Sequence, residues 1–176
     1  RDLRLYRLGF PNDEVRYGFL ENLLSTYASV PFGQTGVSVG RFVQDIRKGN
    51  VDGFMERMQA IIAGIPYDNF SKEHLKLQEQ NYQTTVYLIF RLMGQFVQTE
   101  VHCSTGRSDY VVHTMDTVYI FEFKLTGTGS AEEAIAQIKD KKYAALYKTE
   151  KKKIVLIGSS FDAQARTIKE WVVDNL

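Results

Sequence analysis

The chain has 176 residues, 44% of them hydrophobic and 24% charged, so it is long enough for one domain with a sizeable core and too apolar to be wholly disordered. Its 22 basic and 21 acidic residues nearly cancel, and the strong positive excess of many nucleic-acid-binding proteins is absent. A single cysteine, Cys103, excludes an intramolecular disulfide and a Cys-rich zinc site. Without an apolar run of roughly 18 residues or a signal-peptide pattern, we expect a cytoplasmic protein with no membrane partner.

The first 65 residues show helical patterns only. An acidic start at residues 11–14, followed by apolar residues at helical spacing, predicts a first helix. A second helix is predicted over residues 38–48 and a third over residues 51–64, each ended by a glycine. None carries a titratable cluster that suggests chemistry. We therefore expect an all-helical N-terminal segment, residues 1–65.

The Gly-rich stretch GQTGVSVG at residues 33–40 raises the question of a phosphate-binding loop. It lacks the Gly-Lys-Ser/Thr sequence that contacts phosphate and magnesium in such loops. We therefore interpret these residues as a linker between the first two helices.

A long helix is predicted from an N-cap at Ser71 to a stop at Gly94. Positions 75, 79, 82, 86, 89 and 93 alternate spacings of four and three and form one stripe, which reads Leu, Glu, Tyr, Val, Ile and Met. Glu79 is the acidic residue in this stripe. Either the buried part of the face begins after Glu79, or the carboxylate has a role of its own.

The remaining elements are mostly strands. A short strand is predicted over residues 96–101, and two more share the stretch GRSDYVVHTMDTVYIFEFK, residues 106–124. A helix over residues 130–148 and a strand over residues 153–158 follow. The last segment, residues 166–176, is either a strand or a helix. The order α-β-β-β-α-β, with one extra element, predicts an α/β fold.

The two central strands place charges inside an apolar pattern. If residues 115–116 form the loop of a hairpin, Asp109 lies opposite Glu122 and Arg107 opposite Lys124. Both pairs fall at the open end of one face, which is apolar near the turn. Directly opposed carboxylates have Cβ atoms about 4.5–5.5 Å apart and destabilise a sheet.

A hard divalent cation would compensate this repulsion, because Mg²⁺ favours one or two carboxylates together with water and phosphate oxygens. Lys124 lies on the same face as Glu122 and can reach a water or phosphate beside that ion. The pattern fits metal-assisted hydrolysis of a phosphoester, in which the lysine steadies developing negative charge. The alternative is an edge hairpin whose acids reach solvent and pair with Arg107 and Lys124.

The hairpin carries a motif that resembles the signature of the PD-(D/E)xK nuclease superfamily: Asp109, a spacer of other residues, and then Glu122-Phe123-Lys124. In the restriction-endonuclease-like core, that signature lies on the corresponding hairpin. The predicted element order over residues 71–160 resembles that core too. This implies a central mixed sheet flanked by helices, with residues 66–176 as the nuclease-like domain. Ser108 departs from the proline of the motif name.

A narrower resemblance is to nuclease-like domains at the C-terminus of bacterial proteins that also carry an AAA-ATPase-like domain. It rests on TE at residues 99–100, GRSD at residues 106–109 and the helix of Gln137. The segment YRLGFPNDEVRYGFLENLL is similar to the stretch joining the two parts of those proteins. Since the chain begins at Arg1, without a methionine and in an apolar-rich segment, we expect a longer protein in which residues 1–65 link to or dock on an ATPase-like domain.

The superfamily resemblance implies roles for individual residues. The metal ligands would be carboxylates and one backbone carbonyl: Asp109, Glu122, Phe123 and Glu79. The catalytic group would comprise these acids, the catalytic lysine and a helix residue that orients the site: Asp109, Glu122, Lys124 and Gln137. The implied cofactor is Mg²⁺ or Mn²⁺, and the implied partner is nucleic acid, with DNA favoured over RNA.

Because the whole chain is nearly neutral, a phosphate-binding surface must come from local charge. The candidates near the second core helix are all lysines: Lys139, Lys141, Lys142, Lys148, Lys151, Lys152 and Lys153. Such lysine runs are commonly solvated helix faces and turns. We expect nucleic-acid contacts from Arg107 and Lys141.

Two alternatives to a nuclease stay open. One is a catalytically inactive module of the same fold, which binds or regulates within an ATPase-containing protein. The other is a purely structural C-terminal domain whose N-terminal helices dock on the ATPase part. A cleavage assay with a divalent metal separates both from an enzyme.

Overall fold

The computed structural model describes residues 9–28, 30–65, 72–101, 109–125, 127, 129–162 and 164–176, with the backbone alone for Phe32, residues 72–79, Glu100 and Val101. The elements are, in chain order, α1 Asp13–Ala28, α2 Phe32–Arg47, α3 Val51–Ala63, α4 Lys72–Met93, β1 Gln98–Val101, β2 Tyr110–His113, β3 Thr117–Leu125, α5 Ala131–Asp140, a 3-10 helix Tyr143–Glu150, β4 Lys153–Asp162 and β5 Thr167–Asn175. Among the described helices, none is long and apolar enough to cross a membrane.

The strands form one mixed sheet in the order β1-β2-β3-β4-β5. Only the central neighbours, β3 and β4, are parallel; the other pairs are antiparallel. A parallel pair needs a crossover, which here consists of α5 and the 3-10 helix. These two elements pack on one face of the sheet. Helices α1–α4 form a hydrophobic core with the opposite face. The expected α/β fold, a mixed sheet flanked by helices after an N-terminal helical segment, is confirmed.

The register of the β2–β3 hairpin is the one that the sequence predicts. Tyr110 pairs with Phe121, and the backbone N–H of Thr114 donates to the Thr117 carbonyl at 2.8 Å to close the turn. Side chains alternate between the two sheet faces along each strand. The strand residues on the α5 side therefore include the apolar Val111, Val118 and Ile120, which lie in one hydrophobic cluster with residues of α5.

The opposite sheet face packs against the four N-terminal helices. Phe54 of α3 and Phe90 of α4 contact the ring of Phe121 at centroid distances of 5.4 and 5.0 Å. The Tyr119 hydroxyl donates to the Ile46 carbonyl of α2 at 2.9 Å. The predicted stripe of α4 is buried where its side chains are described, at Tyr82, Val86, Ile89 and Met93. The boundary after residue 65 stays a prediction.

The interpretation of residues 33–40 as a linker was wrong, because α2 begins at Phe32 and includes them all. Three glycines lower the helix propensity by about 1 kcal/mol each. Burial at helical spacing outweighs that cost, since the following side chains are at most 1% exposed: Thr35, Val39, Phe42 and Ile46.

The helix predicted over residues 130–148 is also partly wrong. Helix α5 ends at Asp140, Lys142 adopts left-handed backbone (φ 54°, ψ 35°), and a 3-10 helix follows. This change of direction buries Tyr143 and Tyr147 against the sheet. For the final segment, the structure selects the strand over the helix as β5. The predicted N-cap Ser71 lies outside the described residues.

Candidate active site

Four of the predicted site residues meet where β3 passes beneath α5. Asp109 directly precedes β2. When the hairpin register is continued by one pair beyond Tyr110 and Phe121, Asp109 lies opposite Glu122. Glu122 and Lys124 are alternate residues of β3, so both point toward the α5 side of the sheet. Gln137 reaches them from α5. The crossover on that face thus completes a constellation that the hairpin begins.

Close packing between α5 and β4 fixes the height of the helix above the sheet. A Cβ atom at Gly158 of β4 would lie 2.2 Å from the Ala131 carbonyl oxygen and 2.9 Å from the Ile135 backbone nitrogen. Only glycine permits this approach. At the start of α5, a capping box between Ser130 and Glu133 satisfies the first backbone N–H groups.

The Asp109 carboxylate is tied to the hairpin backbone. Its Oδ2 accepts a hydrogen bond from the Phe123 N–H at 2.9 Å. Burial raises the pKa of Asp109, against the lowering effects of that hydrogen bond and of the Lys124 charge. The carboxylate is therefore held in place at the open end of the hairpin, facing Glu122.

Glu122 is the most constrained acid of the site and is only 4% exposed. Its Oε1 accepts hydrogen bonds from the Gln137 amide and from Lys124 Nζ, the latter at 3.3 Å. Its Oε2 is buried and has no hydrogen-bond partner among the described residues. Burial, with the Asp109 charge as the second cause, raises the pKa of Glu122 to about 7 although Lys124 lowers it. One oxygen of a buried carboxylate is thus left to bind something else.

The Lys124 ammonium is held between two acceptors. Nζ donates to Glu122 Oε1 and to the Gln137 side-chain oxygen. Its stem packs against the loop after β3, because a Cβ atom at Gly129 would lie 3.4 Å from Lys124 Cγ. The Gln137 amide, donating to Glu122 and accepting from Lys124, fixes both side chains at once.

Two carboxylates, rather than three, come together in the described part of the site, where no group of three His, Cys, Asp or Glu side chains could hold a metal. Glu79 lies on α4, but its side chain is outside the described residues, as are Arg107 and Ser108. The unpartnered Glu122 Oε2 fits a cation ligand, because a buried acceptor without a partner costs about 1–3 kcal/mol. Coordination by the Phe123 carbonyl stays a prediction.

Tyr143 belongs to this region, although the sequence did not suggest it. It is 6% exposed, and its hydroxyl has no hydrogen bond of normal geometry among the described residues. Burial raises the pKa of Tyr143; the nearby Gln137 side chain lowers it, whereas the charges of Glu122 and Asp109 raise it. In an uninterrupted helix, residue 143 would point about 120° away from residue 137 around the helix axis. The left-handed Lys142 instead folds Tyr143 back toward Gln137.

Lys141, the other predicted nucleic-acid contact, caps the C-terminus of α5 and is exposed. It follows Gln137 by one helical turn, and its backbone N–H donates to the Gln137 carbonyl at 3.0 Å. Lys141 therefore lies beside the site on its solvent side rather than among the buried residues.

Comparison with known proteins finds a family match that covers this region of the chain. The family model described as PD-(D/E)XK nuclease superfamily matches residues 77–171, a range that includes Asp109, Glu122, Lys124 and Gln137. An uncharacterized protein in the vnfD 5′ region of Azotobacter chroococcum mcd 1 is 32% identical over 171 residues. That alignment covers 97% of this chain and 33% of the relative, so the chain spans about a third of that protein. No solved structure matches the chain significantly.

The raised pKa of Glu122 predicts a pH-dependent effect of Glu122→Gln on stability. The folded-state pKa of about 7 exceeds the ordinary 4.5, so the stabilising contribution is complete below pH 4.5 and is lost as the pH rises through 7. Between about pH 5 and pH 8 in EDTA, the variant should gain on the order of 2 kcal/mol over wild type. Denaturant unfolding measures this difference. The exposed control Glu56→Gln should show no such trend, and a pH-independent difference for Glu122→Gln would contradict the burial argument.

The Tyr143 hydroxyl lacks a hydrogen bond of normal geometry among the described residues, which predicts that Tyr143→Phe leaves the metal-free protein as stable as wild type or more stable, because a desolvated hydroxyl is removed. Tyr119→Phe is the matched comparison. Its hydroxyl donates to the Ile46 carbonyl, so its removal should cost about 1 kcal/mol or more. Equal losses in the two variants, measured by denaturant unfolding, would show that Tyr143 has a structural partner.

Proposed function

Because the chain belongs to the PD-(D/E)XK nuclease superfamily, we propose that it is a metal-dependent nuclease that hydrolyses phosphodiester bonds of nucleic acid. The observation that carries the proposal is the buried Glu122 Oε2, which lacks a partner among the described residues. It stands beside a second carboxylate, Asp109, and an ordered ammonium group, Lys124.

Asp109 and Glu122 would hold a divalent cation, Mg²⁺ or Mn²⁺, with the Phe123 carbonyl and Glu79 as further proposed ligands. Oxygen donors of this kind are the ligands that these hard cations prefer. When bound, the cation polarises the phosphate and makes water more acidic. Asp109 supports this role because its Phe123 hydrogen bond occupies Oδ2 alone and orients the rest of the carboxylate.

Lys124 is the proposed catalytic residue for charge stabilisation. An ammonium group has three N–H donors, and two of them are accounted for by Glu122 and Gln137. The third can donate to a phosphate oxygen. Negative charge grows on that oxygen in the transition state, so a fixed ammonium lowers the barrier without reorganisation during the reaction.

Gln137 is the proposed positioning residue. Its amide joins the Glu122 carboxylate to the Lys124 ammonium, so it sets their separation without having to contact substrate. Helix α5 packs so closely on Gly158 that there is no space for a Cβ atom. The Gln137 amide therefore projects from a firmly packed helix. This accounts for a neutral side chain in the centre of a charged site.

The wider setting is part of the proposal. The chain spans about a third of the Azotobacter relative. We propose that the full-length protein also contains an AAA-ATPase-like domain, linked to or docked on residues 1–65, and that it acts in the cytoplasm. The proposed nucleic-acid contacts are Arg107 and Lys141, with DNA as the favoured substrate.

An inactive binding or regulatory module is the second candidate. The observation in its favour is the nearly neutral charge of the whole chain, which gives little electrostatic help in holding nucleic acid. In that case the constellation would bind nucleic acid or a metal without turnover. Cleavage assays on single-stranded and duplex DNA and RNA with Mg²⁺ or Mn²⁺ separate the two candidates.

Replacing the proposed catalytic lysine tests the mechanism. Lys124→Ala should lower kcat by on the order of 10²-fold or more, because a donor to the transition state is lost. Nucleic-acid binding should change little, and the exposed Lys48→Ala is the matched control. Full cleavage by Lys124→Ala would place the activity elsewhere. Binding by wild type without cleavage of any substrate would favour the inactive module.

A further inference from the structure

The positive charge of this chain is concentrated in one segment. Residues 139–153 contain seven lysines and two acids, whereas the whole chain has a net charge of only +1. The remainder of the chain is therefore net negative. The nearly neutral composition of the whole chain thus includes one strongly basic segment, to which a polyanion would be attracted.

Most of these lysines are free to meet a ligand. Lys139 pairs with Asp174, and Lys152 pairs with Glu150. The others are exposed and have no carboxylate partner in the described part of the chain: Lys141, Lys142, Lys148, Lys151 and Lys153. We call these five residues the lysine band.

Two members of the band occupy backbone that glycine would adopt more readily. Lys142 and Lys151 are both left-handed, at φ 54°, and they bracket the 3-10 helix at its two ends. Left-handed backbone is unfavourable for a residue with a Cβ atom. Both positions therefore carry a lysine although glycine would adopt this backbone at lower cost.

The band extends from the candidate active site to the hairpin turn. At one end, Lys142 directly precedes Tyr143, which lies beside Gln137. At the other end, Lys153 pairs in register with Thr117, and Nζ of the neighbouring Lys152, which is not part of the band, donates to the Thr114 carbonyl at 3.0 Å. The eight-residue 3-10 helix between the ends is about 16 Å long at roughly 2.0 Å per residue.

We propose that the lysine band binds the phosphate backbone of the nucleic acid on one side of the cleavage site, along the 3-10 helix toward the hairpin turn. This inference rests on the proposed function, because it takes nucleic acid as the ligand. At 3.4 Å per phosphate, a 16 Å band spans about five nucleotides of one duplex strand. Lysines act as point charges here, so the band supplies affinity and register but no sequence specificity.

Salt-dependent binding tests the band directly. Fluorescence anisotropy would use labelled single-stranded and duplex oligonucleotides of about 20 nucleotides, DNA and RNA, in EDTA with a Lys124→Ala background to prevent cleavage. The double variants Lys141→Gln/Lys142→Gln and Lys151→Gln/Lys153→Gln should each lose about tenfold or more in affinity at low salt. Each should also reduce the slope of log K against log salt by about 1–2. The control Arg41→Gln/Lys48→Gln, which changes an exposed cation of α2 and the exposed C-cap residue of that helix, should match the background protein.

Glycine variants distinguish a binding role from a structural one. Lys142→Gly and Lys151→Gly remove the charge and also relieve the left-handed backbone, so Tm should stay the same or rise while binding weakens. Unchanged affinity and salt slope in the band variants, with good binding by the background protein, would overturn this inference and leave the proposed function standing. Failure of the background protein to bind any of the oligonucleotides would overturn this inference, and it would overturn the proposed function as well if wild type also cleaved none of them in Mg²⁺ or Mn²⁺.

Discussion

The site depends on two like charges that face each other at the open end of the β2–β3 hairpin. Asp109 is held by the Phe123 N–H, and Glu122 by Gln137 and Lys124, so neither carboxylate can swing away to solvent. The single positive charge of Lys124 faces two carboxylates. In the described structure, Glu122 Oε2 has no hydrogen-bond partner. The repulsion must therefore be relieved by a proton or by a cation. Protonation of Glu122, whose pKa is raised to about 7, relieves the repulsion in one way. Binding of the proposed metal would relieve it in the other.

The rest of the fold holds this unfavourable arrangement in place. Aromatic rings of α3 and α4 pack against Phe121, so helices cover the sheet face behind the site. On the site face, the close approach of α5 at Gly158 sets the position of Gln137. Burial and packing stabilise the fold by far more than one unsatisfied carboxylate oxygen costs. A site of this design is thus destabilising locally and tolerated by the fold as a whole.

The sequence predicts the parts of the site that depend on local periodicity. Strand alternation and one turn fix the register, so the opposition of Asp109 and Glu122 and the shared face of Lys124 follow from residue spacing alone. The contacts of Gln137 could not be predicted in this way, because they depend on how the crossover helix docks on β4. Tyr143 was missed because the break at Lys142 places a lysine in left-handed backbone, where the sequence carries no glycine to mark it. The helix over residues 33–40 was missed because burial of Val39 and Phe42 outweighs glycine propensity, a tertiary effect.

The most direct test of the central claim is the thermal stability of wild type, Asp109→Asn and Glu122→Gln in EDTA and in Mg²⁺. If the opposed carboxylates hold the cation with a Kd of about 1 mM, about 10 mM Mg²⁺ should stabilise wild type by about 1.4 kcal/mol, a rise in Tm of roughly 3–6 °C. Both site variants should lose most of that rise, whereas Glu56→Gln, an exposed acid of α3, should keep it. Equal Mg²⁺ shifts in all four proteins would contradict the account, because the two carboxylates would then not be the cation site.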